Sequence, residues 1–226
     1  MEDARDNRMN IHIIAPFYRL ELIEPIVKLM EPMGIHFYPM VTPERDRFPK
    51  ADWIHPVYTQ ELRGWPIEAC FRKLNDFAYL VKINDDDYYG FMTDDDMYEP
   101  GFFDVIKKQT SKIVFCSLYR GDITPPNCVG RHPTFPLVIR SVADVRVCNI
   151  GLPQYLIKGE IFKQHRFIIN DKWGDGRFAE ALKTKHPNDL KFLPDLWVLA
   201  GYHQKGRYTD ASKFIKPNWK LPEITV

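Results

Sequence analysis

Two aspartate triplets frame a short apolar run in Asp85-Asp86-Asp87-Tyr88-Tyr89-Gly90-Phe91-Met92-Thr93-Asp94-Asp95-Asp96, and the stretch closes on Met97-Tyr98-Glu99-Pro100. The run Tyr88 to Met92 has the length and the aromatic content of a buried strand. A strand that ends in consecutive carboxylates delivers negative charge to the carboxyl edge of a sheet, where open α/β folds place their ligands. Adjacent carboxylates repel unless protons, cations or solvent intervene, and hard divalent ions such as Mg2+ or Mn2+ favour such oxygen donors. An acidic cluster alone is commonly a solvated surface. Here the second triplet directly follows an apolar strand and precedes a turn into a helix at Gly101-Phe102-Phe103, which favours a metal site.

The rest of the chain supplies the strands such a sheet needs. Asn10 to Ala15 predicts a first strand, Glu21 to Met30 a helix with Pro25 in its first turn and Gly34 beyond its end, and Ile35 to Val41 a second strand. Strand, helix and strand in this span make a βαβ unit with parallel strands. Further strands are expected at Trp53–Tyr58, Lys112–Leu118, Leu137–Arg140, Val145–Ile150 and Lys191–Leu199. Helices are expected over Gln60–Leu80, Gly101–Thr110, Gly159–His165 and from Asp175 onward. The fold class is therefore α/β, a central mostly parallel sheet flanked by helices. At 226 residues we expect a single domain, with 1–9 and about 210–226 peripheral.

Charge is uneven along the chain: residues 1–100 carry 11 Lys and Arg against 19 Asp and Glu, so the rest carries a basic excess. An acidic half suits a cation and a basic half suits phosphates. Neither a basic excess overall nor an Arg/Lys-aromatic stripe is present, so no nucleic-acid partner is expected. No apolar run reaches the length of a membrane span, and Met1-Glu2-Asp3-Ala4-Arg5-Asp6 has no apolar signal core, so a cytoplasmic location is expected. Peripheral membrane contact stays open. Cys70, Cys116, Cys128 and Cys148 lack zinc-type spacing and are expected to be free thiols.

Three further segments carry chemistry. Arg72, Lys73 and Asn75 lie late in the Gln60–Leu80 helix, either as a solvated face or facing the acidic edge. Asp175, in Gly174-Asp175-Gly176-Arg177-Phe178, is either a helix cap or a general base. His203 sits between glycines and next to Lys205 and Arg207, a phosphate-friendly setting, and the aperiodic stretch 119–136 is either a substrate-covering loop or surface disorder.

Together these pieces resemble the GT-A glycosyltransferases, close to their family 2-like group. The most specific element is Tyr89-Gly90-Phe91-Met92-Thr93-Asp94-Asp95-Asp96 with Pro100, similar to the strand bearing that family's D-x-D motif. Many members carry a further Asp where this chain has Thr93, and Gly174 stands where a Glu is usual. The resemblance implies a metal-dependent, inverting single displacement that moves a sugar from a nucleotide diphosphate sugar to an acceptor hydroxyl in glycan biosynthesis. It implies Mn2+ or Mg2+ held by Asp94, Asp96 and His203. It also implies donor contacts from Ala15, Pro16, Tyr18, Arg72, Lys73, Asn75, Asp94, Asp95, Lys205 and Arg207, with Asp175 as base. Gly151, Leu152 and Tyr155 would meet the acceptor, which is a glycan, a lipid-linked molecule or a small molecule. Two other classes remain: a non-catalytic glycan- or nucleotide-binding protein, for which a base is superfluous, and a metal-dependent phosphoesterase or nucleotidyltransferase, for which no Gly-rich phosphate loop is present.

Overall fold

The computed structural model describes residues 9–60, 66–94, 96–120, 137–147 and 149–200. Among these, eight strands form one mixed sheet, in which β1 (Ile11–Pro16), β2 (His36–Val41), β3 (Val57–Tyr58) and β4 (Tyr88–Phe91) run parallel in the order β3-β2-β1-β4. Beyond β4 the order continues with β7 (Tyr155–Lys158), β6 (Ile113–Arg120), β8 (Leu190–Ala200) and β5 (Met97–Tyr98). β7 is antiparallel to both β4 and β6, while β8 is parallel to β6.

Every residue of β1 and of β4 is buried, because helices cover both faces of the sheet. On one face lie α1 (Ile23–Met30), through Ile23, Ile26 and Met30, and α3 (Phe102–Ile106). The other face carries α2 (Pro66–Leu80), α4 (Gly159–Phe162) and α5 (Gly174–Lys185), which contribute Cys70, Phe71, Leu74, Phe77, Phe162, Phe178 and Leu182. Pro25 sits in the first turn of α1, where its missing N–H costs nothing, and Gly34 at φ +59° ends the following 3-10 turn. No described helix is long and apolar enough to cross a membrane.

The α/β class and the βαβ start hold, and several boundaries move. The strand expected over Trp53–Tyr58 shrinks to Val57–Tyr58 plus a bridge from Ile54 to Phe37. Leu137–Arg140 contributes only a bridge from Leu137 to Leu118. Val145–Ile150 is not a strand: the Val147 N–H donates to Glu180 Oε1 (3.0 Å), and the Val145 carbonyl accepts from Lys183. Side chains of α5 thus take the backbone groups that a neighbouring strand would need. Conversely β7 went unexpected, since Gly151-Leu152-Pro153 reads as a break, yet Tyr155, Leu156 and Ile157 are fully buried between β4 and β6.

Candidate active site

The parallel strands β1, β2 and β4 bring their carboxyl ends together, and β1 has β2 on one side and β4 on the other. That reversal of order opens a crevice at the strand ends. The backbone ties the edge closely: Phe17 N–H donates to the Met40 carbonyl (3.1 Å) and Met92 N–H to the Ile14 carbonyl (3.0 Å). Asp94 and Asp96 follow β4 closely and are 1% and 4% exposed, so these two aspartates are not a solvated surface.

The two carboxylates are held differently. Asp94 Oδ2 accepts the backbone N–H groups of Tyr18 (2.8 Å) and Arg19 (2.7 Å), and its Oδ1 accepts Arg19 Nε (2.9 Å) as well as Arg19 Nη2. Asp96 Oδ2 accepts the Thr93 N–H (2.7 Å) and hydroxyl (2.8 Å), while its own N–H returns to the Thr93 carbonyl (3.2 Å). Thr93, in the place of a further carboxylate, thus closes the turn that presents Asp96.

Helix α2 faces this edge with Cys70 and Lys73. The Lys73 ammonium, on a side chain that is almost wholly buried, lies 3.4 Å from the Met40 carbonyl and 4.5 Å from the centre of the Tyr18 ring, a cation–π distance. Burial pushes the Cys70 thiol up, and the charges of Asp175, Asp96 and Asp94 push it further, against the opposing Lys73. The Cys70 thiol thus feels the charges both of the loop after β4 and of α5. Tyr18 is raised by burial and then by Cys70 and Asp94, with Arg45 opposing; Tyr155 is raised by burial and then by Asp175 and Cys70. Both phenol oxygens are buried without a hydrogen-bond partner among the described residues. Buried polar groups left unpaired are uncommon and favour a polar ligand or water in the bound state.

Asp175 is the second residue of α5, half-buried, with the helix N-terminus beside it. Asp171 Oδ1 accepts the Trp173 N–H (2.9 Å), its carbonyl accepts the Gly174 N–H (2.9 Å), and its Oδ2 takes Arg177 Nε (2.5 Å). Asp175 accepts the adjacent Gly176 N–H (2.7 Å). Gly174 has a steric reason to lack a side chain: a Cβ would lie 2.6 Å from Phe71 Cε2 and 2.7 Å from the Ile168 carbonyl oxygen.

Other expected residues fall differently. Arg72 is exposed. Asn75 is buried, donates to the Phe167 carbonyl (2.9 Å) and accepts the Phe167 N–H (2.8 Å), which fixes the segment leading to α5. Ala15 and Pro16 end β1, paired in register with Pro39 and Met40. Leu152 is buried in the helix-covered core, and Gly151 N–H donates to Gln154 Oε1 (2.7 Å) ahead of β7, where Tyr155 lies. Asp95, His203, Lys205, Arg207 and 121–136 lie outside the described residues. Two residues that the sequence did not single out prove central: Arg19, which grips Asp94, and Arg45, whose guanidinium donates to the Tyr18 carbonyl. Their only sequence signal is a cation soon after the end of each of the first two strands.

A divalent cation fits this edge only in part. Asp94 has both oxygens engaged by four N–H donors, and among the described residues no group of three or more His, Cys, Asp or Glu could hold a metal ion. A metal here would draw on Asp96 together with Asp95 and His203, the last two outside the described residues.

No protein-family model matches the sequence, and no curated protein does. Among solved structures, residues 1–349 of S. aureus TarS, a GT-A glycosyltransferase, superpose with a TM-score of 0.54 at 13% identity, covering 85% of this chain and 60% of that one. The chain thus spans less than two thirds of that structure, and identity at this level speaks to architecture alone. The α/β sheet with its helices on both faces is a GT-A fold.

Proposed function

We propose that the chain is a glycosyltransferase that moves a sugar from a nucleotide diphosphate sugar to an acceptor hydroxyl, with inversion. The observation that carries this reading is the burial of Asp94 and Asp96 at the carboxyl edge of β1, β2 and β4, where Asp94 holds the loop after β1 and Lys73 of α2 lies over that loop's Tyr18.

Transfer to a hydroxyl needs a binding place for a diphosphate, neutralisation of its growing charge and a base for the acceptor proton. Lys73, held over the Tyr18 ring, supplies a fixed positive charge in a dry setting, where it acts more strongly than in water. Tyr18 offers a phenol to the donor, and Lys205 and Arg207 add charge. A bound Mn2+ or Mg2+ supplies Lewis-acid neutralisation of the leaving diphosphate, and Asp96, with Asp95 and His203, would hold it. Asp175 accepts the proton of the acceptor hydroxyl as the oxygen attacks the anomeric carbon. The sugar–oxygen bond to the diphosphate breaks as the new bond forms, and the diphosphate leaves with the electron pair. Tyr155, fully buried with its ring packed on Phe91, Phe115 and Phe178, supports this region from the core.

Incubation with a panel of nucleotide sugars and Mn2+, reading slow release of nucleoside diphosphate, tests the proposal. Release from one donor class, accelerated by an acceptor and lost in Asp175→Asn, is expected. Absence of release across the panel, with tight nucleotide binding retained, would favour a binding protein instead.

A further inference from the structure

The polar backbone of the loop after β1 is held from several directions at once. Phe17 N–H goes to Met40 on β2, the Tyr18 and Arg19 N–H groups both go to Asp94 Oδ2, and the Tyr18 carbonyl accepts from Arg45. The Arg19 carbonyl accepts from Leu22 N–H (3.1 Å). Two consecutive amides converging on one carboxylate oxygen form an anion nest, and here the anion is supplied by the protein itself. The Arg19 fork on Oδ1 adds charge-assisted bonds.

We propose that Asp94 is a positioning residue: it clamps the loop after β1 to the loop after β4, so that Tyr18 is held under the Lys73 ammonium, and it leaves metal binding to the other members of its triplet. This rests on the sugar-transfer reading above and divides the labour within it. An ionised carboxylate offers about four acceptor sites, and Asp94 has four N–H donors on them. A cation at Asp94 would have to displace these donors and sit beside the Arg19 guanidinium, which like-charge repulsion opposes. Asp96 Oδ2 is held by the neutral donors of Thr93. The clamp also explains why a ring with an unpartnered phenol is fixed in place: the loop is pre-organised before any ligand arrives, which lowers the ordering cost of binding.

The test compares wild type, Asp94→Asn, Arg19→Met and Asp96→Asn by amide hydrogen exchange, by Mn2+ titration followed with paramagnetic resonance, and by calorimetry with nucleoside diphosphate. In Asp94→Asn the Tyr18 and Arg19 amides should exchange at least about tenfold faster and nucleoside diphosphate affinity should fall about tenfold, while Mn2+ affinity stays within about twofold. Arg19→Met, at a side chain 31% exposed and so tolerant of change, should show the same pattern, and should do so even where Asp94→Asn folds poorly. Asp96→Asn should lose Mn2+. An Asp94→Asn protein that loses Mn2+ as Asp96→Asn does, or that keeps full protection at Tyr18 and Arg19, would overturn the clamp. Wild-type protein that binds neither Mn2+ nor nucleoside diphosphate would overturn the sugar-transfer reading, and the exchange comparison would still decide the clamp.

Discussion

A Cβ on Gly174 would stand 2.6 Å from Cε2 of Phe71, so the ring on α2 and the first turn of α5 meet at a distance only glycine permits. The Phe71 ring is itself stacked on Phe167 (5.5 Å between centres), which limits its retreat, and the Ile168 carbonyl closes the other side. Gly174→Ala is therefore expected to lower stability by about 1–3 kcal/mol through overpacking, measured as a fall in the urea midpoint. Gly174→Glu should be worse and should not add a working carboxylate, because α5 and Asp175 would be pushed from the edge.

Lys73 is a buried cation that donates to the Met40 carbonyl and lies over the Tyr18 ring. Lys73→Met keeps the aliphatic volume and removes the charge. Stability should fall by about 1–3 kcal/mol as the buried groups it meets lose their partner. Nucleoside diphosphate affinity should fall by about 10- to 100-fold, because a charge-assisted phosphate contact is worth roughly 1.5–3 kcal/mol. Calorimetry beside thermal melts separates the two effects.

Asp175→Asn preserves shape and removes the base. It should hold KM for the donor near wild type while kcat falls by about 10²- to 10⁴-fold, the usual contribution of general base catalysis. Initial rates across donor concentrations read the split directly. Transfer at the wild-type rate would move the base to another residue.

Away from the site, buried histidines set the acid stability. Burial lowers His12, although Asp87 at 3.0 Å opposes it; burial and His36 lower His55; burial, His186, Lys185 and Arg166 bring His165 down to about 4. Each binds its proton less readily when folded than when unfolded, so stability is full above about pH 6.5 and falls as pH drops toward 4. Asp87 is lowered by His12, Asn10 and Asn84 against its burial cost, so its contribution is lost at lower pH still. Urea midpoints should decline between pH 6.5 and 4, and His165→Gln should flatten that decline, which for this group is on the order of 2 kcal/mol.

The sequence carried the sheet where burial is continuous. Ile11 to Ala15 and Tyr88 to Phe91 are mostly apolar and buried on both faces, which is why both were legible as central strands and why the aspartates after Met92 could be placed at the carboxyl edge. What failed was decided by tertiary partners. Val145–Ile150 has a strand's composition and loses its backbone groups to Glu180 and Lys183, while Tyr155–Lys158 follows a break signal and is captured between two strands. Within the site, Lys73 and Asn75 are two residues apart, yet one reaches the carboxyl edge and the other holds Phe167, a distinction set by where the segment before α5 crosses α2. Arg19 was invisible for a similar reason: its partner Asp94 is 75 residues away.

The central claim is that the edge formed by β1, β2 and β4 binds a nucleoside diphosphate together with a divalent cation. Calorimetric titration of nucleoside diphosphate into the protein with and without Mn2+, repeated on Asp96→Ala, tests it most directly. The account predicts binding that requires Mn2+ in the wild type and is lost in a folded Asp96→Ala protein. Binding that ignores both Mn2+ and Asp96, or no binding at all, would contradict it.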